Sequence, residues 1–207
     1  AVPYLYSAAD VTALMAQARH LRTPLRPATI ATLVGLLAVT GLRIGEAIAL
    51  DDTDFDPARQ LLLVRNAKFG RDRLLPLHPS AAGAVQDYRN LRDRAFPHPV
   101  SEALLVSSTG TRLRHENVSV TFARLARQAG LAGRPGGARP RIHDARHSFA
   151  VATLLDWLRD GGGVAERLPL LSAYLGHADP ADTYWYLQAS PELLAEAARR
   201  LEQGGSR

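Results

Sequence analysis

The 207-residue chain has no cysteine, a single lysine (Lys68) among its 25 Lys and Arg residues, a single methionine and few aromatic side chains. Without cysteine there are no disulfides, no thiolate nucleophile and no Cys-ligated metal. No apolar run approaches the roughly 20 residues that a membrane-spanning helix needs; "ATLVGLLAV" (31–39) is far too short, and the N-terminus carries no leader pattern. A soluble, cytoplasmic protein is expected. A phosphate-binding loop pattern is also missing: the Gly/Pro/Arg stretch "LAGRPGGARPR" (131–141) reads as a flexible basic loop.

What is present is positive charge, almost all of it arginine. The net charge is +5 and the isoelectric point near 10.1, with arginines grouped in 65–73, 89–94 and 134–146. Such clustering suits a polyanionic partner. The lone lysine matters because arginine keeps its proton at any working pH, whereas lysine can be tuned to release one.

Periodicity predicts helices over 7–21, 27–40, 42–50, 81–95, 115–130, 142–160, 165–175, 180–188 and 191–203. Ser7 and Asp10 form a capping-box-like start to the first, and an early Pro with Gly41 past the end brackets the second. "QLLLVRN" (60–66) and "RLLPLH" (73–78) read as a β-hairpin with Lys68 near its turn, and 103–108 as a further short strand. One domain over 1–207 is expected, α+β and mainly helical, with a small antiparallel sheet.

Three short motifs carry the chemistry. "TGLRIGEAIAL" sets Arg43 at a helix start with Glu46 three residues on, close enough to orient the guanidinium. "HDARHSFA" puts His143 and Arg146 on one helical face. "YLGHADPADTYWYL" places His177 after Gly176 and Tyr186 nine residues later. His143 and His147, four apart on a helix, also have a spacing that zinc sites use. Asp144 stands where such a motif has Glu, however, and Arg146 would set a positive charge beside the ion, so no metal is expected.

Arg in T-G-x-R, Lys in a hairpin, H-x-x-R, L-G-H and then Tyr, in that order across nearly the whole chain, resembles the tyrosine recombinase (phage integrase) family. The resemblance implies the family's catalytic-domain fold and a DNA strand-exchange activity through a covalent 3′-phosphotyrosyl intermediate. It implies that Arg43 and Arg146 bind the scissile phosphate, Lys68 is the general acid, His143 and His177 assist, Tyr186 is the nucleophile, and Glu46 and Asp144 support them. Double-stranded DNA is the implied partner, with a free monomer assembling into a tetramer on it. No cofactor is implied, because exchanging one phosphodiester for another needs no ATP.

Tyr184 and Tyr186 differ by about 200° around a helix, so both cannot face one phosphate. The family's spacing from L-G-H selects Tyr186; Tyr184 is expected to pack on the other face beside Trp185. A type IB topoisomerase-like relaxing activity uses the same chemistry and stays an alternative, as does a DNA-binding module without catalysis. The family's usual N-terminal core-binding domain has no room before residue 7, so an isolated catalytic portion or a minimal form is expected. The segment 191–207, with Leu194, Ala197, Ala198 and Leu201 on one face, would either pack on its own domain or dock on a neighbouring protomer.

Overall fold

A computed structural model describes residues 3–67, 71–131, 139–161 and 163–177, and the single positions 179, 183, 184, 186 and 193. The first helix, α1 (Ala8–Ala18), begins at a reciprocal cap: the Ser7 hydroxyl accepts from the Asp10 amide and the Asp10 carboxylate from the Ser7 amide. Helix α2 (Arg26–Thr40) has Pro27 in its first turn and stops at Gly41. Its Ile30, Leu33, Val34, Leu36 and Leu37 are all buried. An apolar surface this wide makes α2 the central helix, and α1, α4 (Pro79–Ala95) and α6 (Asp144–Arg159) pack on it.

After α3 (Ile44–Ala49) and a single 3₁₀ turn (Asp52–Asp54), three antiparallel strands follow in the order β1 (Phe55–Asp56), β2 (Leu61–Ala67), β3 (Arg71–Pro76). β1 has only two residues, too short to show an alternation in sequence. Leu62 faces Leu75 and Val64 faces Arg73 across the β2–β3 pair, and the register shifts between Val64 and Ala67. Leu62, Val64 and Leu75 are buried while Leu74 is 60% exposed, the two-residue alternation of a sheet with one face on the core.

The strand expected over 103–108 does not form. Residues 103–106 are buried, but the segment makes only isolated bridges, Asp51 to Ala103 and Val106 to Arg112. Side chains take the backbone groups that a ladder would use. Tyr88 Oη accepts from the Val106 amide, Thr29 donates to the Val106 carbonyl, and Arg92 donates to the Leu104 carbonyl. α5 (His115–Gln128) and α7 (Val164–Leu175) complete the described helices; most of the two helices expected after residue 180 lies outside the described residues.

The core has two parts. One runs from Leu14 through the sheet and α4 and α5 to Ile142. The other joins Ala150, Val151 and Leu154 of α6 to Leu168, Leu171 and Leu175 of α7, with Tyr186 and Leu193. Leu193 thus belongs to the second part of the core. The N-terminal half of α6 lies at the seam between the two parts.

Candidate active site

Two left-handed glycines shape the seam. Gly41 has φ +61°, and a Cβ there would come within 2.6 Å of the Phe149 ring. Gly176, at φ +69°, closes α7 in a Schellman turn: the Gly176 amide bonds the Ala173 carbonyl and the His177 amide that of Ser172. The Gly of L-G-H is therefore needed for its backbone, and it sets His177 at the mouth of the turn.

Arg146 links the two glycine turns. It is 2% exposed, and its guanidinium donates to the Gly41 carbonyl at 2.8 Å and the Leu175 carbonyl at 2.7 Å. Burial, and then the charge of Arg43, push its pKa down to about 10. It stays protonated at neutral pH.

Arg43 caps α3 in an extended conformation. Glu46 accepts from both its amide and its Nη1 at 2.9 Å, and Arg43 Nη2 reaches the Gly176 carbonyl at 3.3 Å. Arg43 and Arg146, 103 positions apart in the chain, so meet at one α7 turn, on successive carbonyls. Burial raises the Glu46 pKa, but hydrogen bonds from Arg73 and Arg43 outweigh it and hold the carboxylate below its ordinary 4.5.

Two imidazoles flank the tyrosine, and a third touches one of them. Tyr186 is 4% exposed, whereas Tyr184 is 47% exposed. The two do face different ways, but Tyr184 lies half in solvent rather than packed, and Trp185 falls outside the described residues. The ring of His147 lies 5.5 Å from that of Tyr186, and the ring of His177 lies 6.0 Å away, nearly parallel. His143 meets His147 edge-on at 5.3 Å. His177 Nδ1 is 2.7 Å from the buried Thr183 hydroxyl.

Burial, then the charge of Arg146, lowers the His143 pKa. Burial, then His143, pushes His147 down to about 4. Both imidazoles are thereby held neutral near pH 7 and able to accept a proton. Asp144, fully buried, accepts from the amide and Nη2 of Arg141 at 2.9 and 3.0 Å; it fixes the entry to α6. Lys68 lies outside the described residues, between β2 and β3. Among the described residues no group of three or more His, Cys, Asp or Glu side chains is placed to hold a metal ion.

Residues 6–192 match the phage integrase family. The chain belongs to that family. The integrase/recombinase y4rB of Sinorhizobium fredii is 44% identical over 97% of this chain and 66% of its own length. The tyrosine recombinase XerC of Chromohalobacter salexigens is 37% identical over 76% of this chain and 47% of its own. Family membership and fold agree: the XerA recombinase superposes with a TM-score of 0.74 at 24% identity, covering 97% of this chain and 66% of that one. A lambda integrase tetramer bound to a Holliday junction superposes at 0.59 and 21% identity, covering 88% of this chain and 47% of that one. The chain spans about half to just under two thirds of these proteins.

Sequence reasoning missed Arg73 and Thr183, and weighed His147 only as a metal ligand. The second arginine of "GRDR" was a signal for Arg73 only if the strand register were known. Thr183 and the carbonyls of Gly41, Leu175 and Gly176 leave no trace in a residue pattern. No helix among the described residues is long and apolar enough to cross a membrane.

Proposed function

We propose that this chain is the catalytic domain of a site-specific DNA recombinase that cleaves and rejoins DNA through a 3′-phosphotyrosyl intermediate. One observation carries the reading: a buried tyrosine set between two imidazoles, His147 and His177, beside a turn that receives both Arg43 and Arg146. The Tyr186 oxygen attacks the scissile phosphorus. A bond forms between them as the bond from phosphorus to the deoxyribose 5′-oxygen breaks.

Arg43 and Arg146 offer planar forks to the nonbridging oxygens, where charge builds. The phenol, whose reference pKa is about 10, passes its proton to the neutral imidazole pair of His143 and His147, and His177 donates to the phosphate. Lys68 gives a proton to the departing 5′-oxygen. Glu46 orients Arg43, and Asp144 secures the helix start that presents His143 and Arg146. A 5′-hydroxyl, from the same strand or from a partner strand, then attacks the phosphotyrosine and forms the new phosphodiester as the bond to the Tyr186 oxygen breaks, so no nucleotide is consumed.

The partner is double-stranded DNA, met in the cytoplasm by a monomer and worked on by a tetramer, with residues beyond Leu193 reaching a neighbouring protomer. The test is covalent capture. The full-length protein is incubated with a library of nicked duplexes of randomised sequence, and denaturation-resistant adducts are recovered and sequenced. Adducts that map to a defined site and to Tyr186 are expected; a library that yields none overturns the reading.

A further inference from the structure

Arg73 breaks the pattern of its own strand. Residues paired across a sheet put their side chains on the same face, and Arg73 pairs with Val64 as Leu75 pairs with Leu62. It therefore points with these buried apolar residues into the protein, and only 11% of its side chain is exposed. A charge on an inward position is costly unless paired, and here the pairing is incomplete. Both Nη atoms reach Glu46, at 3.0 and 2.8 Å, but Nε is buried without a hydrogen-bond partner. Departures of this kind from local rules gather at functional sites.

The geometry around Glu46 says what the departure accomplishes. Its carboxylate receives the amide and Nη1 of Arg43 together with both Nη atoms of Arg73. Paired with Glu46 alone, Arg43 would form a neutral couple and lose most of its attraction for a phosphate. A second guanidinium returns the group to a net charge of +1. Its two-point grip also fixes the plane of the carboxylate, and with it the direction of the Arg43 fork.

Arg73 further lies flush on the turn that carries His177: a Cβ on Gly176 would come within 2.8 Å of its Nη1. One side chain thus touches the carboxylate that holds Arg43 and the backbone that holds His177. It stands two residues into β3, the strand that follows Lys68 in the sequence.

We infer that Arg73 is a positioning residue of this site, which through Glu46 both aims the Arg43 guanidinium at the scissile phosphate and keeps its charge from being cancelled. The inference rests on the recombinase reading of the preceding section.

The test compares two versions of the duplex recovered by covalent capture, one with the natural scissile phosphate and one with a methylphosphonate, assayed as separate stereoisomers. The methyl group removes the negative charge that Arg43 is there to meet. Arg73→Gln should melt at a lower temperature but, assayed where it is folded, keep DNA binding and lose adduct formation on the phosphate by up to about 10²-fold, as for a reacting group slightly misplaced. On one methylphosphonate isomer the deficit should largely close, as it should for Arg43→Ala. Arg73→Lys, which keeps the charge but not the two-point grip, should fall between.

An equal loss on both substrates, or no loss on either, overturns the inference. If Arg73→Gln does not fold, the same comparison on Arg73→Lys decides. If the unmodified protein forms no adduct with either substrate, the recombinase reading falls first and takes the inference with it.

Discussion

The imidazole of His177 lies almost parallel to the phenol of Tyr186, the ring planes 22° apart in angle and the centroids 6.0 Å apart. A phenylalanine ring can keep this ring-to-ring contact. Tyr186→Phe should therefore keep fold, melting temperature and DNA affinity, and form no covalent adduct. Tyr184→Phe, altering a half-exposed ring, should leave the adduct intact. Gel detection of denaturation-resistant complexes checks both, and phosphate mapped to Tyr184 in the Tyr186→Phe protein would reverse the assignment.

Lys68→Arg preserves charge but not the capacity to release a proton. Cleavage of an ordinary phosphodiester should fall by about 10² to 10⁴, the usual contribution of a general acid. A duplex with a 5′-bridging sulfur at the scissile position should recover much of the rate, because a thiolate leaves without protonation. Normal cleavage by Lys68→Arg would make the chain's only lysine an ordinary loop residue.

Gly41 and Gly130 both have positive φ, +61° and +70°, but a Cβ meets the Phe149 ring at 2.6 Å in the first case and nothing within 4 Å in the second. Gly130→Ala should cost only the backbone penalty, about 1–2 kcal/mol. Gly41→Ala should cost clearly more, and it should also slow cleavage, since the Gly41 carbonyl holds Arg146. Equal losses in denaturant titrations would mean that Phe149 yields freely.

His147 makes stability depend on pH. Its pKa is pushed from 6.5 to about 4 in the folded protein, so between these values the unfolded chain takes up a proton that the folded one refuses. Its contribution is fully present above 6.5, and stability then declines on acidification toward about 4. His147→Gln should flatten the curve of melting temperature against pH in that window. An unchanged slope would show that His147 titrates normally in the fold.

The parts of this fold that can be read from sequence are those with a local cause. Ser7 with Asp10, Pro27 with Gly41, and the glycine of L-G-H each set a helix end through atoms a few residues away. The motifs around Arg43, His143, Arg146, His177 and Tyr186 are each short, and the roles expected of them come from the family resemblance that their joint order carries. Arg73 is not legible, because what makes it unusual is the partner it faces across β2, and the pairing register carries that information. The segment 103–108 misleads in the opposite direction: it has a strand's composition, but the Tyr88, Thr29 and Arg92 side chains that claim its backbone come from distant helices.

The seam between the two apolar clusters bears on how the protein is made. Arg43 lies on one side of it, Tyr186 on the other, and Arg146 fastens the turns between them. A chain leaving the ribosome carries Arg43 long before Tyr186, and seats that tyrosine only as the second cluster closes around it. A half-made or half-folded copy therefore never brings Arg43, Arg146 and Tyr186 together, and the seam between them exists only once both clusters have closed.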